Sequence, residues 1–344
     1  MTLSTEYERL TLPLEHAFTI SRGTQTAAEN VVVSIEDDDG NVGIGGAAPS
    51  DHYGETADTV EAVMPELLSV VESVDDPHAL ARSEREMRET VNRNPAARCA
   101  VSIALHDLAA KRADLPLYRY WGLDPENTLE TSFTIGIDTT DVMREKTAEA
   151  VEAGYDTLKI KVGTDRDGEI VGTVRDEAPD ATIRVDANQA WSPREAVQKI
   201  DVLADYDVEF VEQPIPAENP DGLRFVRERS ALPIAADESC VTLEDIPRIA
   251  GKTDIANLKL MKCGGLREAM RMIHTAKAHG MEVMLGCMIE SNASIAAACH
   301  LAPLLDYADL DGSLLLAEDE YEGVPMPEGV IGLETGRPGT GARR

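Results

Sequence analysis

Charged side chains interrupt five short apolar segments in the second half of the chain. Lys161, Asp186, Glu212, Asp237 and Lys259 follow one another at intervals of 25, 26, 25 and 22 residues. A repeat of about 25 residues corresponds to one β-strand and one α-helix, so these residues are expected at equivalent heights on successive parallel strands. The carboxyl ends of such strands meet at one mouth of a β/α barrel, where catalytic groups lie. The pattern therefore predicts one shared site.

Three of these residues, Asp186, Glu212 and Asp237, are carboxylates. Carboxylates that face one another at buried strand ends repel strongly, and a divalent cation relieves that repulsion. A donor set made only of oxygen favours Mg²⁺ over Zn²⁺, with Mn²⁺ as a substitute. The sequence therefore predicts a Mg²⁺ site. The alternative is a structural ring of ion pairs between the acids and the lysines.

Two lysines of the same strand, Lys159 and Lys161, are two residues apart and so face the same side. Neighbouring ammonium groups are expected to lower each other's pKa, which would suit a lysine base. Lys259 lies four β/α units further on, so it should face Lys161 across an eight-stranded barrel. Two opposed lysines suit a 1,1-proton transfer at carbon, with the metal stabilising an enediolate. The alternative is that one lysine is only a cation of the cluster.

The elements that would position these residues form a repeating pattern. From residue 131 onward, short apolar segments alternate with amphipathic helical stretches. Eight such units predict a parallel α/β barrel. An open doubly wound sheet is the competing topology, and it is disfavoured because no Gly-rich phosphate turn follows the first strand. The predicted strands lie at 131–137, 157–162, 182–187, 208–213, 233–238, 255–260, 281–286 and 307–312.

The first part of the chain has a different organisation. Two apolar runs at 31–35 and 41–46 flank the polar EDDDG sequence and predict a β-hairpin. Helical periodicity follows over 56–122. We therefore predict an α+β domain over 1–122, a barrel over 128–315, and a C-terminal segment, 316–344, that packs back on the first domain.

The composition excludes several classes of partner. The chain has 344 residues, with 63 acidic against 32 basic side chains and a net charge of −31. This charge repels nucleic-acid backbones and anionic membranes, so the expected partner is a small molecule. Such an acidic excess is typical of a halophilic protein that stays solvated in concentrated salt. The alternative is an ordinary acidic cytosolic protein.

The cysteines and the N-terminal sequence indicate the compartment. Five cysteines, an odd number without a CxxC pair, indicate a reducing environment. The first residues lack a basic and apolar leader, and no apolar run reaches the roughly 18 residues that span a bilayer. These features predict a cytoplasmic protein.

The motifs around the charged residues resemble the muconate-lactonizing subgroup of the enolase superfamily. The resemblance covers nearly the whole chain. It is carried by K-I-K at 159–161, D-A-N-Q at 186–189, E-Q-P at 212–214, A-D-E-S at 236–239 and N-L-K-L-M-K-C-G-G at 257–265.

This resemblance implies a modified TIM-type (β/α)7β barrel with an N-terminal capping domain, and it implies a symmetric homo-oligomer. It also implies that Lys161 and Lys259 are the acid/base pair and that Lys159 assists by its charge. Lys262 lies beside Lys259, but N-L-K-L is the sequence that matches the family. The implied Mg²⁺ ligands are Asp186, Glu212 and Asp237.

The clue to the substrate is D-L-D at 309–311, near the end of the eighth predicted strand. Asp309 and Asp311 would share a face of that strand and suit a substrate ammonium group. Dipeptide epimerases resemble this chain here, which implies epimerisation at a Cα, for example on L-Ala-D/L-Glu. The alternatives within the subgroup are muconate cycloisomerase, o-succinylbenzoate synthase and N-acylamino acid racemase. A further alternative is that the motif is a plain polar loop of an acidic protein.

Other residues resemble the substrate-reading parts of the family. Residues 18–23 are similar to the specificity loop, in which Arg22 would pair with a substrate carboxylate. Residues 48–53 would complete the lid. Thr134 and Met288 would line the pocket. The alternatives are a solvated surface position for Arg22 and plain packing for Thr134 and Met288.

A different class of function is also open. A catalytically silent, metal-stabilised binding barrel would tolerate the loss of Lys161 or Lys259. Purely structural needs do not place lysines on opposing strand ends, so this class is disfavoured. A hydrolase is disfavoured because the chain has no nucleophile motif such as G-x-S-x-G.

Overall fold

The computed structural model describes residues 2–344 and begins with a three-stranded antiparallel sheet. Its strands are β1 (Ser4–Ile20), β2 (Gly23–Glu36) and β3 (Val42–Ala47). The predicted hairpin is confirmed, since β2 pairs with β3 from Val31↔Ala47 to Glu36↔Val42. Beyond this prediction, β1 and β2 form a longer hairpin whose turn, next to Ile20↔Gly23, carries Arg22.

Four helices follow this sheet in the chain. They are α1 (Ala57–Val74), α2 (Leu80–Thr90), α3 (Pro95–Arg112) and α4 (Leu117–Tyr120). Helix α3 is buried along nearly its whole length. It lies directly on β3 because Gly43 and Gly45 lack a side chain: a Cβ at either position would lie 2.1 Å from a carbonyl oxygen of α3.

Eight parallel strands form the second sheet. They neighbour one another in chain order, and the bridge Thr131↔Ala308 joins the two ends of the sheet. The barrel prediction is therefore confirmed. The strands are β4 (Phe133–Ile135), β5 (Thr157–Lys161), β6 (Thr182–Asp186), β7 (Val208–Glu212), β8 (Ile234–Ala236), β9 (Ile255–Lys259), β10 (Glu282–Gly286) and β11 (Tyr307–Asp309).

Helices fill the seven connections between these strands. A 3₁₀ turn, Asp311–Ser313, follows the last strand in place of an eighth helix, so the (β/α)7β form is confirmed. The helices are α5 (Thr140–Glu152), α6 (Asp167–Glu177), α7 (Pro193–Ala204), α8 (Pro220–Arg227), α9 (Ile246–Ile249), α10 (Leu260–Cys263), α11 (Leu266–Ala278) and α12 (Asn292–Cys299).

The alternation of side chains along β5 shows how the barrel positions its charged residues. Every residue of β5 is buried. Leu158 and Ile160 belong to the main hydrophobic core. Lys159 and Lys161 point to the opposite side, because successive residues of a strand face opposite ways. The apolar set of β5 therefore fixes the inward direction of both lysines.

The C-terminal segment makes contacts with both preceding parts. The Leu117 amide donates to Gly339 O at 2.7 Å, and the Thr340 amide donates to Asp107 Oδ1 at 2.6 Å. The Ile331 amide donates to Leu129 O at 3.1 Å. Between residues 2 and 344, no helix has the length and apolar character needed to span a bilayer.

Candidate active site

The predicted residues meet at the carboxyl ends of the barrel strands. Lys161, Asp186, Glu212 and Lys259 are the last residues of β5, β6, β7 and β9, and Asp237 directly follows β8. Lys161 is paired with Asp186, and Asp186 with Glu212, so these three lie at one height. The equal sequence spacing thus corresponds to equal height in the barrel.

Three carboxylates form the centre of this cluster. Oxygens of Asp186, Glu212 and Asp237 lie within 4.8 Å of one another, and all three side chains are buried. Burial and the negative charge of Asp186 raise the pKa of Glu212 to about 7. Glu212 Oε2 lies 2.7 Å from Lys159 Nζ but has no hydrogen-bond partner of good geometry. This buried all-oxygen donor set fits a hard divalent cation.

Lys159 is surrounded by carboxylates. Its Nζ lies 2.7 Å from both Glu212 Oε2 and Asp309 Oδ2, and 3.4 Å from Asp186 Oδ2. Burial lowers its pKa, but these three carboxylates outweigh burial and raise the pKa well above the ordinary value. The expectation that the paired lysines depress each other's pKa is therefore wrong for Lys159. Its geometry is that of a fixed cation.

The other two lysines reach the cluster from opposite strands. Lys161 Nζ lies 2.6 Å from Asp186 Oδ2, and Lys259 Nζ lies 2.9 Å from Asp237 Oδ2. Burial lowers the pKa of Lys259, but the negative charge of Asp237 outweighs burial and raises this pKa above its ordinary value. Both lysines line the same cavity. A carbon atom placed between them would have one amine on each face.

Lys262 has a different environment from Lys259. Its side chain is completely buried. Its Nζ lies 2.5 Å from Asp237 Oδ1 and donates to the carbonyls of Asp237 at 2.7 Å and Asn257 at 3.0 Å. These contacts occupy the ammonium group, so the lysine open to a substrate is Lys259.

A cavity of about 820 Å³ covers this cluster and separates the barrel mouth from the N-terminal sheet. The five predicted substrate-binding residues all line it. Its wall also includes His52, which belongs to the predicted 48–53 lid segment, and Cys287, which was not predicted. The predicted set is Arg22, Thr134, Met288, Asp309 and Asp311.

Asp309 and Asp311 enter the cavity by different routes. Asp309 ends β11, where its Oδ1 accepts from Ser132 Oγ at 2.6 Å and its Oδ2 contacts Lys159. Asp311 lies beyond the strand and begins a 3₁₀ turn, so the expected alternation along one strand is wrong. Its Oδ2 accepts from the Thr134 amide at 2.6 Å. Burial and the charge of Asp309 raise the pKa of Asp311 to about 6.

Two lid segments contact the barrel mouth. Arg22 Nη1, at the tip of the first hairpin, donates to Glu238 Oε1 at 2.7 Å and to Asn188 O at 3.0 Å. In the second segment, His52 Nε2 lies 3.3 Å from Gln189 Nε2. Glu238 was not predicted from the sequence, although it follows Asp237 directly.

Two side-chain amides that were not predicted from the sequence support the carboxylates. Gln213 Oε1 accepts from the amides of Asp237 at 2.9 Å and Ser239 at 3.0 Å, and Gln213 Nε2 donates to Ile215 O at 2.8 Å. Asn257 Nδ2 donates to Glu212 Oε1 at 2.7 Å. Asn257 interrupts the apolar run 255–260, which is the signal that could have identified it, whereas Gln213 is marked only by its place directly after Glu212.

Comparisons with known proteins agree with this geometry. Residues 5–122 match the family described as "Mandelate racemase / muconate lactonizing enzyme, N-terminal domain". Residues 142–343 match the family described as "Enolase C-terminal domain-like". The chain is 42% identical to the L-Ala-D/L-Glu epimerase of Bacteroides thetaiotaomicron over 97% of this chain and 86% of that protein.

Solved structures give the same result. The dipeptide epimerase of Enterococcus faecalis V583, complexed with Mg and L-Leu-L-Tyr, matches with a TM-score of 0.92 and 35% identity over 100% of both chains. The dipeptide epimerase of Methylococcus capsulatus, complexed with Mg and L-Arg-D-Lys, matches with a TM-score of 0.92 and 34% identity over 100% of both chains. The chain therefore belongs to the mandelate racemase/muconate lactonizing enzyme family of the enolase superfamily, as its motifs predicted.

Proposed function

We propose that this chain is a Mg²⁺-dependent dipeptide epimerase, an isomerase that inverts the Cα of the C-terminal residue. The observation that carries the proposal is the placement of Lys161 and Lys259 on opposite strands around the carboxylate cluster. The relatives named as dipeptide epimerases support the same reaction. A two-base 1,1-proton transfer needs this two-sided arrangement, whereas a hydrolysis does not.

Asp186, Glu212 and Asp237 would hold the Mg²⁺ ion, for which Mn²⁺ is a substitute. When bound, the cation supplies positive charge that stabilises the enediolate form of the substrate. Gln213 holds the backbone of Asp237 and Asn257 holds the carboxylate of Glu212. The chain thus fixes the ligand positions before a cation binds.

The lysines move the proton. In one direction, one of Lys161 Nζ and Lys259 Nζ removes the Cα proton and the other delivers a proton to the opposite face. The reverse reaction exchanges their roles. Lys159 keeps its proton between Glu212 and Asp309 and contributes only positive charge.

The dipeptide would lie along the cavity floor. Asp311 and Asp309 would bind its ammonium group, and Thr134 and Met288 would form the wall beside it. Arg22 would face the side chain of the C-terminal residue. A side-chain carboxylate, as in L-Ala-D/L-Glu, would form an ion pair with the Arg22 guanidinium. L-Ala-L-Glu is therefore the first dipeptide to assay.

The experiment that tests this function is Cα-proton exchange. A panel of dipeptides is incubated with Mg²⁺ in D₂O, and deuterium at the C-terminal Cα is followed by NMR. We expect exchange together with formation of the second epimer. Exchange with no dipeptide, combined with turnover of muconate, an N-acylamino acid or the o-succinylbenzoate precursor, would reject the proposal in favour of that activity.

The wider setting of the enzyme is also a proposal. We infer a halophilic cytoplasmic protein from the net charge of −31 and the five unpaired cysteines. We also infer a homo-oligomer without nucleic-acid or membrane partners, divided into 1–122, 128–315 and 316–344. Thermal unfolding in increasing KCl tests the first point: a halophilic chain becomes more stable up to molar salt. Light scattering tests the oligomer.

A further inference from the structure

The cavity has an unusual feature on its lid side. Both arginines that line it between residues 2 and 344 are already paired with carboxylates of the chain. Arg9 Nε lies 2.6 Å from Glu29 Oε2, and Arg9 Nη1 lies 2.5 Å from Asp58 Oδ1. Arg22 Nη1 lies 2.7 Å from Glu238 Oε1. A substrate carboxylate that approaches either arginine therefore meets another carboxylate beside it.

The pair of Arg22 and Glu238 is the closer of the two to the reacting lysines, because Glu238 follows Asp237. The Glu238 side chain is only 1% exposed, and its Oε2 has no hydrogen-bond partner among the described residues. A buried carboxylate is costly unless a cation or a donor compensates it. Arg22 provides that compensation through Oε1, so the two side chains depend on each other.

We propose that Glu238 is a specificity-determining residue that competes with the substrate for Arg22. This inference rests on the proposed dipeptide epimerase function and concerns the side chain of the C-terminal residue. A side-chain carboxylate at Arg22 is attracted by the guanidinium but repelled by Glu238. An amide of the same shape keeps the hydrogen bonds without the repulsion. Glu238 therefore admits uncharged side chains alongside acidic ones.

The test uses two dipeptides of the same shape, L-Ala-L-Glu and L-Ala-L-Gln. The measured quantity is the ratio of their kcat/KM values at saturating Mg²⁺. We expect the native ratio to lie within about tenfold of one, and Glu238→Gln to raise it in favour of L-Ala-L-Glu by about tenfold or more, because the repelling charge is gone. A ratio is used because a general loss of activity leaves it unchanged.

Three controls accompany this variant. Glu209→Gln removes the same charge from another arginine pair, since Glu209 Oε2 lies 2.7 Å from Arg184 Nε. Neither residue lines the cavity, so this variant should leave the ratio unchanged. In an Arg22→Met background, the shift caused by Glu238→Gln should shrink to less than about threefold. Calorimetric titration with Mg²⁺ shows whether each variant still binds the cation.

The outcomes separate this inference from the proposed function. An unchanged ratio in Glu238→Gln, or a full shift in the Arg22→Met background, overturns the role of Glu238. If Glu238→Gln does not fold, the kcat/KM ratio of the native protein tests the role of Glu238. A preference for L-Ala-L-Glu above about a hundredfold would show that Glu238 does not compete with the substrate carboxylate. If the native protein exchanges no dipeptide Cα proton, the proposed function itself has failed.

Discussion

Lys161 and Lys259 contact different carboxylates of one cluster from opposite sides of the barrel. Lys161 Nζ lies 2.6 Å from Asp186 Oδ2, and Lys259 Nζ lies 2.9 Å from Asp237 Oδ2. Their strands, β5 and β9, are four places apart in the order of eight. The cluster thus separates the two amines, and each amine can serve only one face of a carbon held between them.

This separation predicts different failures of the two single variants. Lys161→Ala and Lys259→Ala should each lower epimerisation by about a hundredfold to ten-thousandfold, because one proton transfer is lost. Each variant should still exchange the Cα proton of one epimer in D₂O, and the two variants should act on opposite epimers. NMR of the separate L,L and L,D dipeptides measures this. If both variants exchange the same epimer, the two-sided mechanism is wrong.

The carboxylates predict a metal-dependent stability. A cation that binds only the folded state raises the free energy of unfolding by about 2.7 kcal/mol at a hundred times its Kd. We expect Mg²⁺ to raise the Tm of the native protein and EDTA to reverse the increase. Glu212→Gln should abolish the Mg²⁺-dependent increase, because it replaces a ligand oxygen charge with a neutral amide. A Mg²⁺ response that survives in this variant would place the cation elsewhere.

Gln213 is expected to affect metal affinity although it is not one of the proposed metal ligands. Its Oε1 accepts from the Asp237 and Ser239 amides, and its backbone adopts a left-handed φ of 35°. Gln213→Leu should weaken Mn²⁺ binding by about tenfold to a hundredfold, as measured by electron paramagnetic resonance.

The matched control for Gln213 is Thr253→Val. Thr253 is buried in the same barrel, two residues before β9, and its Oγ1 donates to Ile234 O at 2.6 Å. This variant should lower the Tm but leave Mn²⁺ affinity unchanged. Equal effects of the two substitutions on affinity would mean that Gln213 acts only through general stability.

The sequence predicted those parts of the site that repeat with the β/α unit. Lys161 and Asp186 are 25 residues apart and become direct strand neighbours, because each unit adds one strand at the same height. The pKa of Lys159 was not predictable in this way. It depends on Asp309, which comes from the opposite end of the barrel sequence.

Contacts between distant segments were the other limit. Arg22 and Glu238 are 216 residues apart, and no periodicity relates a hairpin tip to a strand end. The same holds for Asp311, whose place in the cavity depends on a 3₁₀ turn rather than on the alternation of a strand. A local pattern defines an element, but packing decides which loops meet.

Asp311 predicts a pH dependence of dipeptide binding. Burial and the charge of Asp309 raise its pKa to about 6. Only the ionised carboxylate attracts an ammonium group, so kcat/KM for a dipeptide should rise with pH through about 6 and then level off. Asp311→Asn should remove this rise and increase KM by at least about tenfold. An N-acetylated dipeptide, which lacks the ammonium group, should show no such rise with the native enzyme.

The contacts of His300 predict that acid breaks a link between α4 and the C-terminal segment. Its Nδ1 accepts from the Tyr118 amide at 3.1 Å, so Nε2 carries the proton and donates to Thr340 O at 3.1 Å. Burial lowers the pKa of His300 to about 4, from 6.5 in an exposed histidine. Protonation would place a second N–H against the Tyr118 amide and would break this link between α4 and the C-terminal segment.

Because the folded pKa of His300 lies below the unfolded value, its contribution to stability is complete above about pH 6.5 and is lost as the pH falls toward 4. The free energy of unfolding, measured with urea, should fall by about 3 kcal/mol across that pH range. His300→Gln cannot titrate, so it should be less stable at neutral pH but should lose less stability on acidification. His106 provides the internal reference, because burial lowers its pKa to about 4 as well and it remains in both proteins. Parallel pH profiles for the native protein and His300→Gln would show that the acid sensitivity arises outside this contact.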